Sequence, residues 1–113
     1  MIYNFQNITV LGAGKSGVGA AILASKQNLN VVVYNDSNIT EENINLLNNY
    51  GVKWYTQDYT SSDTLDNDLL VISPGILDNH PVVKHFEEKS KPVISEIEFA
   101  SYFLSLIHIS EPT

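Results

Sequence analysis

One segment near the start of the chain has the residue types and the spacing of a phosphate-binding loop. The segment Gly12–Gly17, GAGKSG, follows the apolar run Ile8–Leu11 and matches G-x-G-x-x-G where a strand leads into a helix. Gly12 permits a tight turn, Gly14 lets a ligand approach the backbone, and Gly17 lets the helix pack closely on the strand. The segment predicts a nucleotide site, and a glycine turn that only packs is the alternative.

Two further segments are candidates for ligand contacts. Asp36 lies about 20 residues beyond the glycine loop, where a carboxylate accepts hydrogen bonds from a ribose hydroxyl or a base N–H. It can equally be a turn former within the sequence NDSN. The segment Ser73–Ile76, SPGI, follows the apolar run Leu69–Ile72, and Gly75 can present its N–H to a phosphate. Its Pro-Gly pair is also compatible with an ordinary type II turn.

Composition excludes several classes of protein. With 113 residues, 43% of them hydrophobic, the chain can bury one modest core. Thirteen acids against six lysines give a net charge of -7, which opposes nucleic-acid binding. Cysteine is absent, and the three histidines have no ligand-like spacing, so we expect no bound metal or cofactor. His80 and His85 have no nucleophile beside them, and we expect helix-capping or surface roles for both.

The first residues lack the features of a secretory signal. No apolar run in the sequence reaches the roughly 20 residues that a membrane helix requires. We therefore expect a cytoplasmic protein that does not span a membrane.

Apolar β-rich runs alternate with helical patterns along the chain, which predicts a parallel sheet. The predicted strands are 8–11, 30–34, 53–55, 69–72 and 92–94. Helices are predicted from residue 16 or 17 to about 27, from an N-cap at Thr40 to a stop at Gly51, from near His80, and from the capping box at Ser95. The stretch 58–68 has no periodicity and is predicted to be a solvated connection without chemistry.

The fold class that follows is α/β: a Rossmann-like three-layer domain with a mostly parallel five-stranded sheet flanked by about four helices. In such a doubly wound sheet the fourth strand lies beside the first, across the topological switch point. The loop Ser73–Ile76 should therefore face the glycine loop across a binding crevice.

Four segments together resemble the N-terminal domain of the Mur ligases that add D-glutamate. They are the glycine loop, the SPGI loop, His80-Pro81 and the sequence PVISEIE over 92–98, and the match covers nearly all of 8–103. The resemblance implies a domain that holds the UDP part of UDP-N-acetylmuramoyl-L-alanine. The contacts it implies are Gly14, Lys15, Ser16, Asp36, Ser37, Asn38, Ser73 and Gly75, although the family often carries a basic residue where this chain has Asn38.

The resemblance also implies an activity in peptidoglycan synthesis. In the family, ATP and Mg²⁺ activate the substrate carboxylate as an acyl phosphate, which the amine of D-glutamate attacks to form an amide. The Gly-[Ser/Thr]-Asn-Gly-Lys-[Ser/Thr] phosphate loop of that reaction does not occur in the sequence. The full-length enzyme is therefore expected to be an ATP-dependent ligase. This chain is expected to hold no catalytic residue and to be inactive alone. It is also expected to be a monomer.

The resemblance gives a division of the chain into 1–104, the Rossmann-like UDP-binding domain, and a tail over 105–113. The sequence of Leu106–Thr113 resembles a translated sequencing adapter, so the tail is expected to be non-native or disordered. The central ATP-binding domain and the C-terminal domain are expected to be absent.

Two other interpretations stay open. One is an NAD(P)-binding Rossmann domain of an oxidoreductase or redox sensor, and the other is a Rossmann-like fold without a ligand. The glycine loop and Asp36 fit a UDP site and an NAD(P) site equally. The SPGI loop and the capping box at Ser95 favour the ligase.

Overall fold

A five-stranded sheet in the order β3-β2-β1-β4-β5 forms the centre of the computed structural model, which describes residues 5–57 and 62–110. The four strand pairings in these ranges are all parallel. The order changes direction between β1 and β4, which places the switch point there, as predicted. The strands are β1 Asn7–Leu11, β2 Asn30–Asn35, β3 Lys53–Thr56, β4 Leu69–Ile72 and β5 Val93–Ser95.

Helices cover both faces of the sheet, which confirms the three-layer prediction. Helices α1, α2 and α5 contribute to the core cluster on one face, and α4 contributes to the cluster on the other. Their bounds are α1 Lys15–Lys26, α2 Glu41–Asn49, α3 Ser62–Leu65, α4 Pro81–Glu88 and α5 Glu96–Ser110. The four predicted helices are thus present, and α3 is an additional single turn.

Neighbouring residues of the inner strands enter different cores. Val10 of β1 and Val71 of β4 belong to the cluster under α1, whereas Leu11 of β1 and Leu70 of β4 belong to the cluster under α4. All four side chains are fully buried. Burial on both faces explains why these strands are apolar at consecutive positions instead of alternating with polar residues.

The predicted helix caps are confirmed. The hydroxyl of Thr40 accepts a hydrogen bond from the N–H of Asn43 at 3.3 Å, and the hydroxyl of Ser95 accepts one from Glu98 at 3.1 Å. Gly51 follows the end of α2 with φ +69°, the left-handed conformation that terminates many helices. These local signals fix where the helices start and stop relative to the strand ends.

The prediction of a solvated connection over 58–68 is wrong in part, because Asp66 and Asp68 are exposed but other residues are helical or buried. Helix α3 lies in this stretch, and Thr64 is fully buried. Its carbonyl accepts a hydrogen bond from the hydroxyl of Thr9 in β1, and that hydroxyl accepts one from Asn67 at 2.7 Å. A buried threonine in a central strand requires polar partners, and this segment supplies them. Residues 58–61 lie outside the described ranges.

Helix α5 continues to Ser110 and so includes most of the segment 105–113. Residues 111–113 lie outside the described ranges. The division at residue 104 and the non-native or disordered character of the tail stay predictions. Within the parts of the chain that the structure describes, no helix combines the length and apolarity needed to cross a membrane.

Asp68 fastens the start of β1 to the segment that leads into β4. Its Oδ2 accepts hydrogen bonds from the backbone N–H groups of Gln6 at 3.1 Å and Asn7 at 3.0 Å. These backbone N–H groups lower the pKa of Asp68 below its ordinary value. The side chain is exposed, so solvent screens part of the interaction.

We expect Asp68→Asn to lower the Tm at neutral pH by about 4 °C. Because the folded-state pKa is lowered, the ionised carboxylate stabilises the fold fully above its unfolded pKa of about 3.9 and loses this effect as pH falls through the folded value. The difference in Tm between wild type and variant should therefore shrink from pH 6 to pH 3. Thermal melts across this range measure it, and a difference that stays constant would contradict the assignment.

Candidate nucleotide-binding crevice

The glycine loop is held in place by two close approaches. Gly12 has φ +111°, and a Cβ there would overlap the hydroxyl of Ser73. A Cβ on Gly17 would overlap the carbonyl oxygen of Gly12. These contacts bring α1, β1 and the loop after β4 together at the switch point. The turn predicted at Gly12 and the close packing predicted at Gly17 are therefore confirmed.

The first turn of α1 is open to solvent. Gly14 is the N-cap and supplies no side-chain cap, and the first turn carries no acidic residue. Gly14, Lys15 and Ser16 are exposed. Uncapped N–H groups and the positive end of the helix dipole make such a turn suitable for an anion.

The backbone N–H and the backbone carbonyl of Ala13 are each held by an asparagine side chain from outside the loop. The Oδ1 of Asn35 accepts a hydrogen bond from the N–H of Ala13 at 2.9 Å, and the Nδ2 of Asn43 donates one to its carbonyl at 3.1 Å. Asn35 also donates to the carbonyl of Ser37 at 2.8 Å. These hydrogen bonds fix the loop after β1 against the loop after β2. Sequence reasoning missed both asparagines, and only the position of Asn35 at a strand end gives any signal of its role.

The loop after β4 is a turn supported by a buried carboxylate. The N–H of Ile76 donates to the carbonyl of Ser73 at 3.1 Å, and the hydroxyl of Ser73 donates to Glu96 at 3.0 Å. Glu96 is 6% exposed and was not among the candidates from sequence. Gly75 lacks the positive φ that a type II turn requires at this position, so the type II alternative is wrong.

Asp36 contacts His80 across the crevice. The Nε2 of His80 lies 2.9 and 3.0 Å from the two carboxylate oxygens. His80 also caps α4, as expected from the sequence, because its Nδ1 accepts the N–H of Val82 at 3.1 Å. A cleft of about 300 Å³ opens beside this pair, lined by Asp36, Gly75, Ile76, Leu77, Asn79, His80 and Pro81.

All the site residues expected from sequence lie at the carboxyl edge of the sheet. Asp36 and Gly75 line one cleft there, while Ser37 and Asn38 are exposed in the loop after β2. A cleft of about 330 Å³ lies at the opposite edge, lined in part by Asn7, Asn30 and Lys53. Ligands of open α/β sheets bind at the carboxyl ends of strands, so the glycine-loop edge is the candidate site. The ligand roles of its residues stay predictions.

The strand order and the glycine loop at the switch point define a Rossmann-like domain of the doubly wound α/β class. A family model described as the Mur ligase MurD-like N-terminal domain matches residues 6–95. The chain belongs to this family.

Curated relatives support the same assignment. The UDP-N-acetylmuramoylalanine--D-glutamate ligase of Christiangramia forsetii is 38% identical over 98 residues, which cover 87% of this chain and 22% of the relative. The enzyme of the same name from Cytophaga hutchinsonii is 40% identical over 95 residues, or 84% of this chain and 21% of the relative. The chain thus spans about a fifth of the length of these ligases.

Solved structures show the same fold. UDP-N-acetylmuramate-alanine ligase MurC from Thermotoga maritima superposes with a TM-score of 0.74 at 19% identity, covering 88% of this chain and 23% of that one. The UDP-N-acetylmuramate:L-alanyl-gamma-D-glutamyl-meso-diaminopimelate ligase from Neisseria meningitides gives 0.69 at 22% identity, covering 82% and 29%. The Rossmann-like fold is therefore that of Mur ligases.

We expect Gly17→Ala to destabilise the domain by about 3 kcal/mol, because the new methyl group must displace the Gly12 carbonyl or separate α1 from β1. Gly19→Ala is the matched control, since a Cβ at this exposed site in the same helix meets nothing within 4 Å. It should be neutral or stabilising by up to about 1 kcal/mol. Urea denaturation measures both values, and equal stabilities would contradict the close approach.

Proposed function

We propose that this chain is the substrate-nucleotide-binding domain of a ligase that adds D-glutamate to UDP-N-acetylmuramoyl-L-alanine in peptidoglycan synthesis. The UDP part of that substrate binds in the crevice between the loops after β1, β2 and β4. The proposed protein is a cytoplasmic monomer. Family membership and the substrate named for the relatives support this proposal.

Two glycines carry this proposal, because neither their backbone conformation nor their packing requires glycine. Gly14 has φ -76° and ψ -172°, which is extended backbone that any residue adopts. Gly75 also lacks a positive φ, and a Cβ on either residue would meet nothing within 4 Å. Both residues are exposed at the mouth of the crevice. Nothing in the domain itself explains why glycine occupies these two positions. A ligand that approaches the backbone closely at both loops explains it, because a side chain there would be in its way.

The diphosphate is assigned to the first turn of α1. The chain carries a net charge of -7, so a general positive field does not attract it. The uncapped N–H groups and the dipole of α1 act only at short range. Lys15 adds one exposed positive charge at the same turn. Gly75 N–H approaches the diphosphate from the other side of the crevice.

Asp36 is assigned to the nucleoside. Its carboxylate is 58% exposed while paired with His80, and it still has free acceptor positions. A uracil N–H or a ribose hydroxyl donates to it. Ser37 and Asn38 follow in the same exposed loop and provide polar contacts to the same part of the ligand.

The residues of this chain do not fit ATP or Mg²⁺. Its sequence has no Gly-[Ser/Thr]-Asn-Gly-Lys-[Ser/Thr] loop, and among the described side chains, in 5–57 and 64–103, no three His, Asp or Glu cluster as metal ligands would. ATP and Mg²⁺ are therefore assigned to the full-length enzyme, and no amide formation is expected from this chain alone.

An NAD(P)-binding domain of an oxidoreductase is the other candidate from sequence. The matching family model describes a Mur ligase domain, and the similar relatives and solved structures are ligases. They support the UDP-binding interpretation and give no support to the oxidoreductase. The glycine loop alone does not separate the two, because both kinds of site use helix N-termini for phosphates.

Titration of the full chain with UDP-N-acetylmuramoyl-L-alanine, UDP and NAD tests the proposal, with backbone amide NMR shifts read at Gly14, Ser16, Asp36 and Gly75. We expect the two uridine nucleotides to shift these signals. Asp36→Asn should raise the Kd for UDP about tenfold, because a charge-assisted hydrogen bond is lost.

Asp66→Asn removes the same charge at an exposed site before β4, near the opposite edge of the sheet, and should leave the Kd unchanged. A response to NAD alone would favour the oxidoreductase. Silence with all three ligands would mean that the domain has the fold without a competent site.

A further inference from the structure

His80 is restrained on several sides at the start of α4. Its Nδ1 accepts the N–H of Val82 at 3.1 Å. Its ring lies edge-on to the ring of Tyr34, with centroids 6.3 Å apart and an interplanar angle of 70°. Tyr34 is buried in β2, and the His80 side chain is only 12% exposed. The orientation of the imidazole is therefore fixed by α4 and by the sheet.

The contact with α4 also determines the tautomer. Because Nδ1 accepts a backbone N–H, it carries no hydrogen, and the neutral ring carries its hydrogen on Nε2. Nε2 lies 2.9 and 3.0 Å from the two oxygens of Asp36. His80 therefore donates a single N–H that both carboxylate oxygens share.

Asp36 is the less restrained partner. Its side chain is 58% exposed, and it follows the last residue of β2. A carboxylate has about four acceptor positions, and the shared N–H of His80 occupies only one side of the group. The other positions stay open to a ligand in the cleft that both residues line.

We propose that His80 is a positioning residue for the ligand. It orients the Asp36 carboxylate toward a nucleoside N–H or O–H donor, and it links the loop after β2 to α4 across the crevice. This inference rests on the proposed function, since it requires a donor group at Asp36. An acceptor that is already oriented loses less conformational freedom on binding, and this gain appears as affinity.

His80→Asn separates the two roles of this residue. Asparagine is a good N-cap, so α4 keeps its cap, whereas the imidazole link to Asp36 is lost. We expect the Kd of the full chain for UDP to rise about fivefold to tenfold, with little change in Tm. His85→Asn is the matched control, because it replaces the same residue type in the last turn of α4 and should leave the Kd unchanged.

A double-mutant cycle with Asp36→Ala identifies the route of the effect. If His80 acts through Asp36, His80→Asn should raise the Kd no further in the Asp36→Ala background. Equal and additive losses in both backgrounds would show a role independent of Asp36 and would overturn the inference. So would an unchanged Kd for His80→Asn in the otherwise wild-type chain.

A ligand-free measurement separates failure of the inference from failure of the proposed function. Long-range ¹H–¹⁵N NMR of the wild-type chain should show His80 with hydrogen on Nε2, and the side-chain ¹³C signal of Asp36 should shift in His80→Asn. A hydrogen on Nδ1 would overturn the positioning contact whatever binds. No response of the wild-type chain to UDP would overturn the proposed function and, with it, the ligand role of His80.

Discussion

The close approach of α1 to the end of β1 is the constraint on which the rest of the crevice depends. It is possible only because Gly17 has no side chain to meet the carbonyl of Gly12. The same contact leaves room for the hydroxyl of Ser73, which packs on both glycines and donates to the buried Glu96. The start of α1, the loop after β4 and the start of α5 are therefore positioned by one small region.

Two side-chain amides connect the glycine loop to the segment that follows β2. Asn35 and Asn43 satisfy the backbone N–H and the backbone carbonyl of Ala13, which would otherwise need water or a ligand as partner. Gly14 follows immediately, is exposed, and as the N-cap of α1 has no side chain to cap the helix. The loop thus combines a restrained residue, Ala13, with an adjacent exposed one, and such pre-organisation lowers the cost of binding a ligand.

The sequence predicts the parts of this site that local signals encode. Glycine spacing, Thr40 and Ser95 specify the loop and the helix starts, because each acts on residues within one turn of itself. It does not predict contacts between distant residues: Asn35 with Ala13 is separated by 22 positions and His80 with Asp36 by 44. Such pairs arise only when the sheet order brings loops together.

The prediction of a solvated connection over 58–68 is incorrect in part for a related reason. Its Ser, Thr and Asp residues are typical of loops, yet Thr64 is fully buried inside the domain. The hydroxyl of Thr9, fully buried in a central strand, hydrogen-bonds to the backbone carbonyl of Thr64 and to the side-chain amide of Asn67. Composition alone cannot distinguish a polar segment exposed to water from one that serves a buried polar residue.

The distribution of acids decides where an anion can bind on so acidic a domain. Helices α1, α2, α4 and α5 all start at the carboxyl edge of the sheet, so each directs its positive dipole end there. The first turns of α2 and α5 carry their own acids, Glu41 and Glu42 in one and Glu96 and Glu98 in the other. Helix α4 is capped by His80, which pairs with Asp36. Of these four helices, only α1 has neither acids nor a side-chain cap in its first turn, so on a chain of net negative charge this turn suits an anion better than the other three.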